Sequence, residues 1–150
     1  MNLDKMKNIF LADDDADDRK FFEDALKQVT IPTNLTLASD GLELMSNLET
    51  VIEPPPPDII FLDINMPRKN GFQCLEEIRN TPKLKDIPVV IFSTTDNEEA
   101  VNKTYQHGAN HYVCKPSSFE LLVKAVETVL TIEMWQKTQP PKEKFVLVFT

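Results

Sequence analysis

Short apolar runs alternate with amphipathic stretches along this chain. Residues 8–12, 59–62 and 89–92 are continuous apolar runs rich in β-branched and aromatic types, as expected of strands buried on both faces. Residues 35–38 and 111–114 are weaker versions of the same signal. Between the runs, apolar residues recur at helical spacing. Phe22, Ala25, Leu26 and Val29 share one face within 16–29, and Leu44, Met45 and Leu48 follow a capping Asp40. Phe72, Leu75 and Ile78 follow Gly71, and Leu121, Leu122, Ala125, Val126, Val129 and Leu130 form the last stripe. A more polar helix runs from the Asp96–Glu99 pair to His107, with Gly108 as its stop, and Ser117 and Glu120 repeat the capping-box spacing. Residues 30–34, the four prolines 54–57 and residues 82–88 break the pattern as loops.

Five strand–helix alternations predict an α/β fold, a parallel sheet with helices on both faces. Right-handed crossovers put the C-terminal strand ends on one edge, where the ligand sites of such sheets collect. A chain of 150 residues fits one domain, and no internal repeat or linker divides it. The net charge of -8 argues against nucleic acid as a partner and favours a bound cation where carboxylates converge. Cys74 and Cys114 share no motif and read as buried small residues in a reducing, cytoplasmic setting. No apolar run approaches the ~20 residues of a membrane span, so no membrane association is expected.

The polar residues at the expected strand ends change the picture most. The first strand stops at Asp13-Asp14-Asp15, the third at Asp63, the fourth at Ser93 and the fifth at Lys115. Taken alone, the acidic run complements a helix dipole, Ser93 is a cap or loop residue, Lys115 is a solvated charge and Tyr112 a core aromatic. Their coincidence at one edge outweighs these single readings. Two like charges ~4 Å apart repel by roughly 4 kcal/mol at an effective dielectric near ~20. Either a carboxyl of Asp13, Asp14 and Asp63 stays protonated, or a hard cation enters. Mg²⁺ suits such oxygen ligands, with the Asn65 carbonyl as a further donor. A carboxylate, Mg²⁺, an ammonium and a hydroxyl together suit phosphoryl transfer to Asp63.

At this point the sequence resembles the receiver domain of two-component response regulators. The resemblance rests on Asp13-Asp14-Asp15, Leu62-Asp63-Ile64-Asn65-Met66-Pro67 followed by Gly71, Ser93, Gly108-Ala109, and Tyr112-Val113-Cys114-Lys115-Pro116. It covers roughly residues 7–130. It implies a flavodoxin-like five-stranded sheet of order 2-1-3-4-5. Asp63 is then the phosphoacceptor, Asp14 a direct Mg²⁺ ligand, Asp13 a ligand through water, and Asn65 a carbonyl donor. Ser93 and Tyr112 match the positions that report phosphorylation, and the Lys115–Pro116 bond is expected to be cis. The single-domain regulators paired with phytochrome-type histidine kinases look most similar, through Met66-Pro67-Arg68 and a comparable C-terminal extension.

The expected division is a receiver domain over 1–135 and an extension over 136–150. No DNA-binding or catalytic segment follows residue 135, so the output is expected to be a protein partner, a kinase or a homodimer mate. The protein is expected to catalyse only its own phosphorylation and dephosphorylation. Thr94 stands where family members often carry Ala or Gly, and is expected to slow self-hydrolysis. An Asp-nucleophile phosphohydrolase is the rival, weakened because the position two residues after Asp63 is Asn65 rather than an acid. A docking module that is never phosphorylated is disfavoured by the complete site, and nucleotide binding by the lack of a Gly-rich loop after the first strand. His107 and His111 read as structural, and Trp135 as packing at the end of the last helix. The tail pentad Phe145-Val146-Leu147-Val148-Phe149 can be disordered, cover an edge or pair with another chain, and packing is favoured.

Overall fold

The structure, a computed structural model, describes residues 6–50, 57–135 and 138–149. The lead-in through prolines 54–56 and the side chain of Trp135 lie outside the described residues. Strands β1 (Lys7–Ala12), β2 (Thr33–Ala38), β3 (Ile59–Leu62), β4 (Val89–Ser93) and β5 (His111–Cys114) alternate with helices α1 (Ala16–Leu26), α2 (Gly41–Thr50), α3 (Gly71–Asn80), α4 (Glu98–Gln106) and α5 (Phe119–Trp135). The sheet order is β2-β1-β3-β4-β5 with a sixth strand, β6 (Val146–Leu147), beyond β5. All pairings are parallel.

The strand alternation of period two sorts the core into two layers. Phe10, Ile60, Leu62, Val89, Ile91 and Tyr112 face α2, α3 and α4. Ile9, Leu11, Phe61, Val90, Phe92 and Val113 face α1 and α5, where Phe22, Phe61 and Phe92 meet edge-to-face. Most of each predicted stripe is buried, including Leu44, Met45, Leu48, Leu75, Ile78, Leu122, Ala125, Val126 and Val129, whereas Phe72 and Leu121 are only partly buried. Gly108, with φ +93, ends α4 as expected of a left-handed stop.

Several local expectations need correcting. β2 begins at Thr33 rather than 35, because its pairing with β1 starts at Lys7 and draws the polar Thr33 and Asn34 into the ladder. Helix α1 ends at Leu26, and Val29 is buried from the turn that follows. The cap of α4 is Asn97, whose side chain accepts from the Ala100 N–H at 2.7 Å, not Asp96. At α5, Ser118 rather than Ser117 accepts from the Leu121 N–H. In both cases the chain needs one more residue to turn out of the strand end before helical geometry begins. Cys74 is buried as expected, but Cys114 is only half-buried, since β5 reaches the open edge there.

The tail packs. β6 pairs with β5, Tyr112 opposite Val146 and Val113 opposite Leu147, and the Tyr112 N–H donates to the Phe145 carbonyl at 3.1 Å. Phe145 is fully buried, its ring edge-to-face with Tyr105 at 5.0 Å and Tyr112 at 6.2 Å. The Tyr105 hydroxyl donates to the Pro140 carbonyl, and Gln139 Nε2 donates to the carbonyls of Tyr105 and Ala109. His111 is buried with Nδ1 3.2 Å from the Phe145 carbonyl, a structural role, and burial lowers its pKa. Among the described residues no helix is long and apolar enough to cross a membrane.

Candidate functional site

The strand order reverses between β1 and β3, the switch point of the sheet, and Ala12 and Leu62 are paired there. Their next residues are therefore forced together at the edge. The Asp63 N–H donates to the Ala12 carbonyl at 3.0 Å, and the Asp13 N–H donates to the Ala38 carbonyl at 3.0 Å. Asp13 and Asp63 are only 1% and 5% exposed, so water does little for either charge. One sheet position further on, the Lys115 N–H donates to the Ser93 carbonyl at 2.9 Å, fixing β5 to the end of β4. From there the lysine reaches across, its ammonium 2.8 Å from Asp13 Oδ2, 2.9 Å from Asp18 Oδ2 and 3.2 Å from Asp63 Oδ2.

Burial governs the electrostatics. It raises the Asp13 carboxyl to about 6, against the lowering effects of Lys115 and the Asp15 N–H. It raises Asp63 as well, partly offset by Lys115 and by the Ile64 N–H, which donates to Asp63 Oδ1 at 2.8 Å. Burial disfavours the Lys115 ammonium too, but its hydrogen bonds to Asp13 and Asp18 and the charge on Asp63 hold its pKa above the ordinary lysine value. Lys115 thus stays charged while the carboxylates around it are poorly compensated.

Asp13, Asp14 and Asp63 each offer a carboxylate oxygen, all within 4.8 Å of one another. Asp13 Oδ2 is buried and meets the Lys115 ammonium as an ion pair at 2.8 Å. An all-oxygen cluster of three converging carboxylates fits a hard divalent cation.

The loop after Asp63 is held by close approach. The Gly71 N–H donates to the Ile64 carbonyl at 2.8 Å, and a Cβ on Gly71 would fall 2.3 Å from the Asp63 carbonyl oxygen. Glycine lets α3 start against the backbone of Asp63, and Asn70 and Gln73 close that helix start with a full capping box.

Ser93 is buried at the end of β4, its hydroxyl accepting from the Thr95 N–H at 3.2 Å. Tyr112 is fully buried, its hydroxyl donating to the Thr95 carbonyl at 2.5 Å, and burial pushes its pKa up to about 12. Asn65 is exposed, and its amide donates to Thr95 Oγ1 at 3.4 Å. The structure thus gathers Asp13, Asp14, Asp63 and Lys115 into one cluster, with Ser93, Tyr112 and Asn65 beside it around Thr95. Two participants escaped the sequence reading. Thr95 is an unremarkable loop residue until Tyr112 and Asn65 both reach it. Asp18 is not singled out by the sequence pattern, although its place four residues after Asp14 puts it one helical turn beyond the acidic run.

Compared with known proteins, residues 9–127 match the response regulator receiver domain. The chain belongs to the response regulator receiver domain family. The chain is 35% identical over 137 residues to response regulator Rcp1 of Synechocystis sp., covering 89% of this chain and 93% of that one. The crystal structure of the phosphorylated cyanobacterial phytochrome response regulator RcpA is similar with a TM-score of 0.79 and 33% identity, covering 91% of this receiver and 99% of RcpA. The Mn²⁺-bound form of Rcp1 is similar with a TM-score of 0.76 and 34% identity, over 90% of this chain and 99% of that one. The protein is therefore a receiver of two-component signalling, a family phosphorylated by histidine kinases, and its acidic cluster fits a divalent ion.

Proposed function

We propose that this receiver takes a phosphoryl group on Asp63 from the phosphohistidine of a histidine kinase, with Mg²⁺ held by Asp13, Asp14, Asp63 and the Asn65 carbonyl. An Asp63 carboxylate oxygen bonds to phosphorus as the donor N–P bond breaks, and its electron pair returns to the imidazole nitrogen. Mg²⁺, when bound, supplies the positive charge that offsets the carboxylates and the incoming phosphoryl oxygens. Lys115 holds its ammonium over the same oxygen and neutralises charge that develops there. Ser93, at the adjoining strand end, hydrogen-bonds a phosphoryl oxygen, and Tyr112 with Thr95 carries the change toward α4.

The observation that carries this reading is the Lys115 ammonium 3.2 Å from Asp63 Oδ2, at the edge where carboxylate oxygens of Asp13, Asp14 and Asp63 converge within 4.8 Å. The similarity to RcpA and Rcp1 supports a phytochrome-type kinase as donor. On this reading residues 1–135 are the receiver and 136–150 an extension. The only chemistry is self-phosphorylation and self-dephosphorylation, and the output is a contact with a protein partner or a second copy. Acetyl phosphate with Mg²⁺ is expected to add one phosphoryl mass to the wild type and none to Asp63→Ala. Equal labelling of both overturns the proposal.

A further inference from the structure

Two overlapping sets of three carboxylates meet at this edge. Asp13, Asp14 and Asp63 converge closely enough for a cation, whereas Asp13, Asp18 and Asp63 surround the Lys115 ammonium. Asp13 and Asp63 belong to both sets. Asp14 serves only the cation, and Asp18 only the lysine. A divalent ion that draws the oxygens of Asp13 and Asp63 toward itself weakens two of the three bonds that fix Lys115. The third is untouched.

Asp18 is also held where it stands. Its N–H is the one that the capping side chain of Asp15 accepts, at 3.0 Å, so the first turn of α1 cannot drift from the acidic run. Arg19, next along, donates to the Asp13 carbonyl at 2.7 Å and ties the same turn to the end of β1. The Asp18 side chain is 40% exposed, at the mouth of the site, while Lys115 is 11% exposed beneath it. The carboxylate therefore closes the lysine in from the solvent side.

We infer that Asp18 is a positioning residue, a tether that keeps the Lys115 ammonium aimed at Asp63 once a divalent cation has claimed the other carboxylates. The inference deepens the reading of Asp63 as phosphoacceptor and rests on it. A lysine is a flexible point charge, and a displacement of about 1 Å can cost up to about 10²-fold in rate. Removing the tether is expected to slow the chemistry while leaving the cation site, which Asp18 does not join, intact.

The test uses the full chain with Asp18→Ala and Asp18→Glu. The first readout is ¹⁵N NMR of the lysine ammonium groups, the Lys115 signal being assigned by its loss in Lys115→Arg. A slowly exchanging Lys115 ammonium is expected in wild type with and without Mg²⁺. It is expected to vanish in Mg²⁺-loaded Asp18→Ala and to return in Asp18→Glu. The second readout is the rate of acetyl phosphate modification, expected to fall about tenfold in Asp18→Ala, with the Mg²⁺ dissociation constant by calorimetry changed by less than about threefold. A persistent Lys115 signal in Asp18→Ala, an unchanged rate, or a loss of Mg²⁺ affinity that accounts for the slower rate overturns the tether. Failure of the phosphoacceptor reading is a separate result, seen as labelling of Asp63→Ala as strong as of wild type, and the ammonium signal then still judges whether Asp18 holds the lysine.

Discussion

At the C-terminal edge of the sheet this protein buries charge, and along the outer flank of β5 it buries rings. The edge holds Asp13, Asp63 and Lys115 in a cluster whose carboxyls burial pushes toward the neutral form. The flank holds Tyr105, Phe145 and Tyr112 in edge-to-face contact, with the polar tips of Tyr105 and Tyr112 spent on backbone carbonyls. The first arrangement is stressed until a cation or a phosphoryl chemistry uses it. The second is satisfied as it stands. Tyr112 belongs to both, its hydroxyl at Thr95 beside the site and its backbone N–H bonded to the Phe145 carbonyl.

Removing the keystone of each region separates the two kinds of burial. Lys115→Met leaves buried carboxylates without their counter-charge, an expected loss of about 3–5 kcal/mol at alkaline pH in metal-free buffer. Phe145→Ala opens a cavity of the kind that costs about 3–5 kcal/mol, limited here to the free energy that docks the short β6 strand. Denaturant titrations give the two sizes. Mg²⁺ and acid distinguish them, because both shrink the Lys115→Met loss and neither touches the Phe145→Ala loss. Equal sensitivity of the two variants to Mg²⁺ would erase the distinction.

The metal-free protein also carries a pH signature from the charged region alone. Asp13 has a folded value of about 6 against an unfolded value near 3.8, so the folded state holds the proton more tightly. Stability contributed by that proton is full below the unfolded value and is lost as pH rises through about 6, amounting to about 3 kcal/mol. The slope is expected to shrink in Asp13→Asn, the remainder coming from Asp63, whose carboxyl burial also raises. Saturating Mg²⁺ reverses it, since cation binding needs the carboxylates ionised. Unfolding free energies from pH 4 to 8 check both signs.

The two regions differ equally in how far the sequence exposed them. Asp13, Asp63, Ser93 and Lys115 were legible because each directly follows an apolar run, so the strand pattern alone delivers them to one edge. Asp18 was not, since it sits inside an ordinary acidic helix start and acquires its role only from Lys115, 97 residues away. The β5 flank was legible only as an apolar pentad with several possible fates. Nothing local says that Phe145 lies between Tyr105 and Tyr112, because that contact depends on where a connection of mixed polarity lets the chain return. The caps at Asn97 and Ser118 slipped by one residue for a related reason: several polar residues in a row can cap, and tertiary geometry chooses among them.

Gly71 tests the backbone that supports the charged region. A methyl group there would meet the Asp63 carbonyl oxygen at 2.3 Å and Ile64 Cα at 2.8 Å, so Gly71→Ala must push α3 away from the loop. Overpacking of this sort costs about 1–3 kcal/mol. The displacement falls on Asp63 itself, so Mg²⁺ affinity and acetyl phosphate labelling are expected to drop together while Tyr112 and the tail keep their amide protection. An Ala variant with wild-type labelling would show that the site tolerates a moved loop.

The smallest expected effect concerns the satisfied region. Tyr105→Phe keeps the ring against Phe145 and removes only the hydroxyl that donates to Pro140 at 3.0 Å. Its global cost is expected at about 0.5–1.5 kcal/mol, the net worth of one hydrogen bond. Its local effect is larger than that figure conveys, because the Pro140 carbonyl is part of the path by which the chain re-enters the sheet at β6. Hydrogen exchange is therefore the sharper measurement. The Tyr112 amide, whose acceptor is the Phe145 carbonyl, is expected to exchange faster in Tyr105→Phe, while the Asp63 amide, bonded to the Ala12 carbonyl, is expected to stay as protected as in wild type. If both amides loosened together, the flank and the charged edge would be one cooperative unit, and the contrast between them would be a contrast of chemistry without independence.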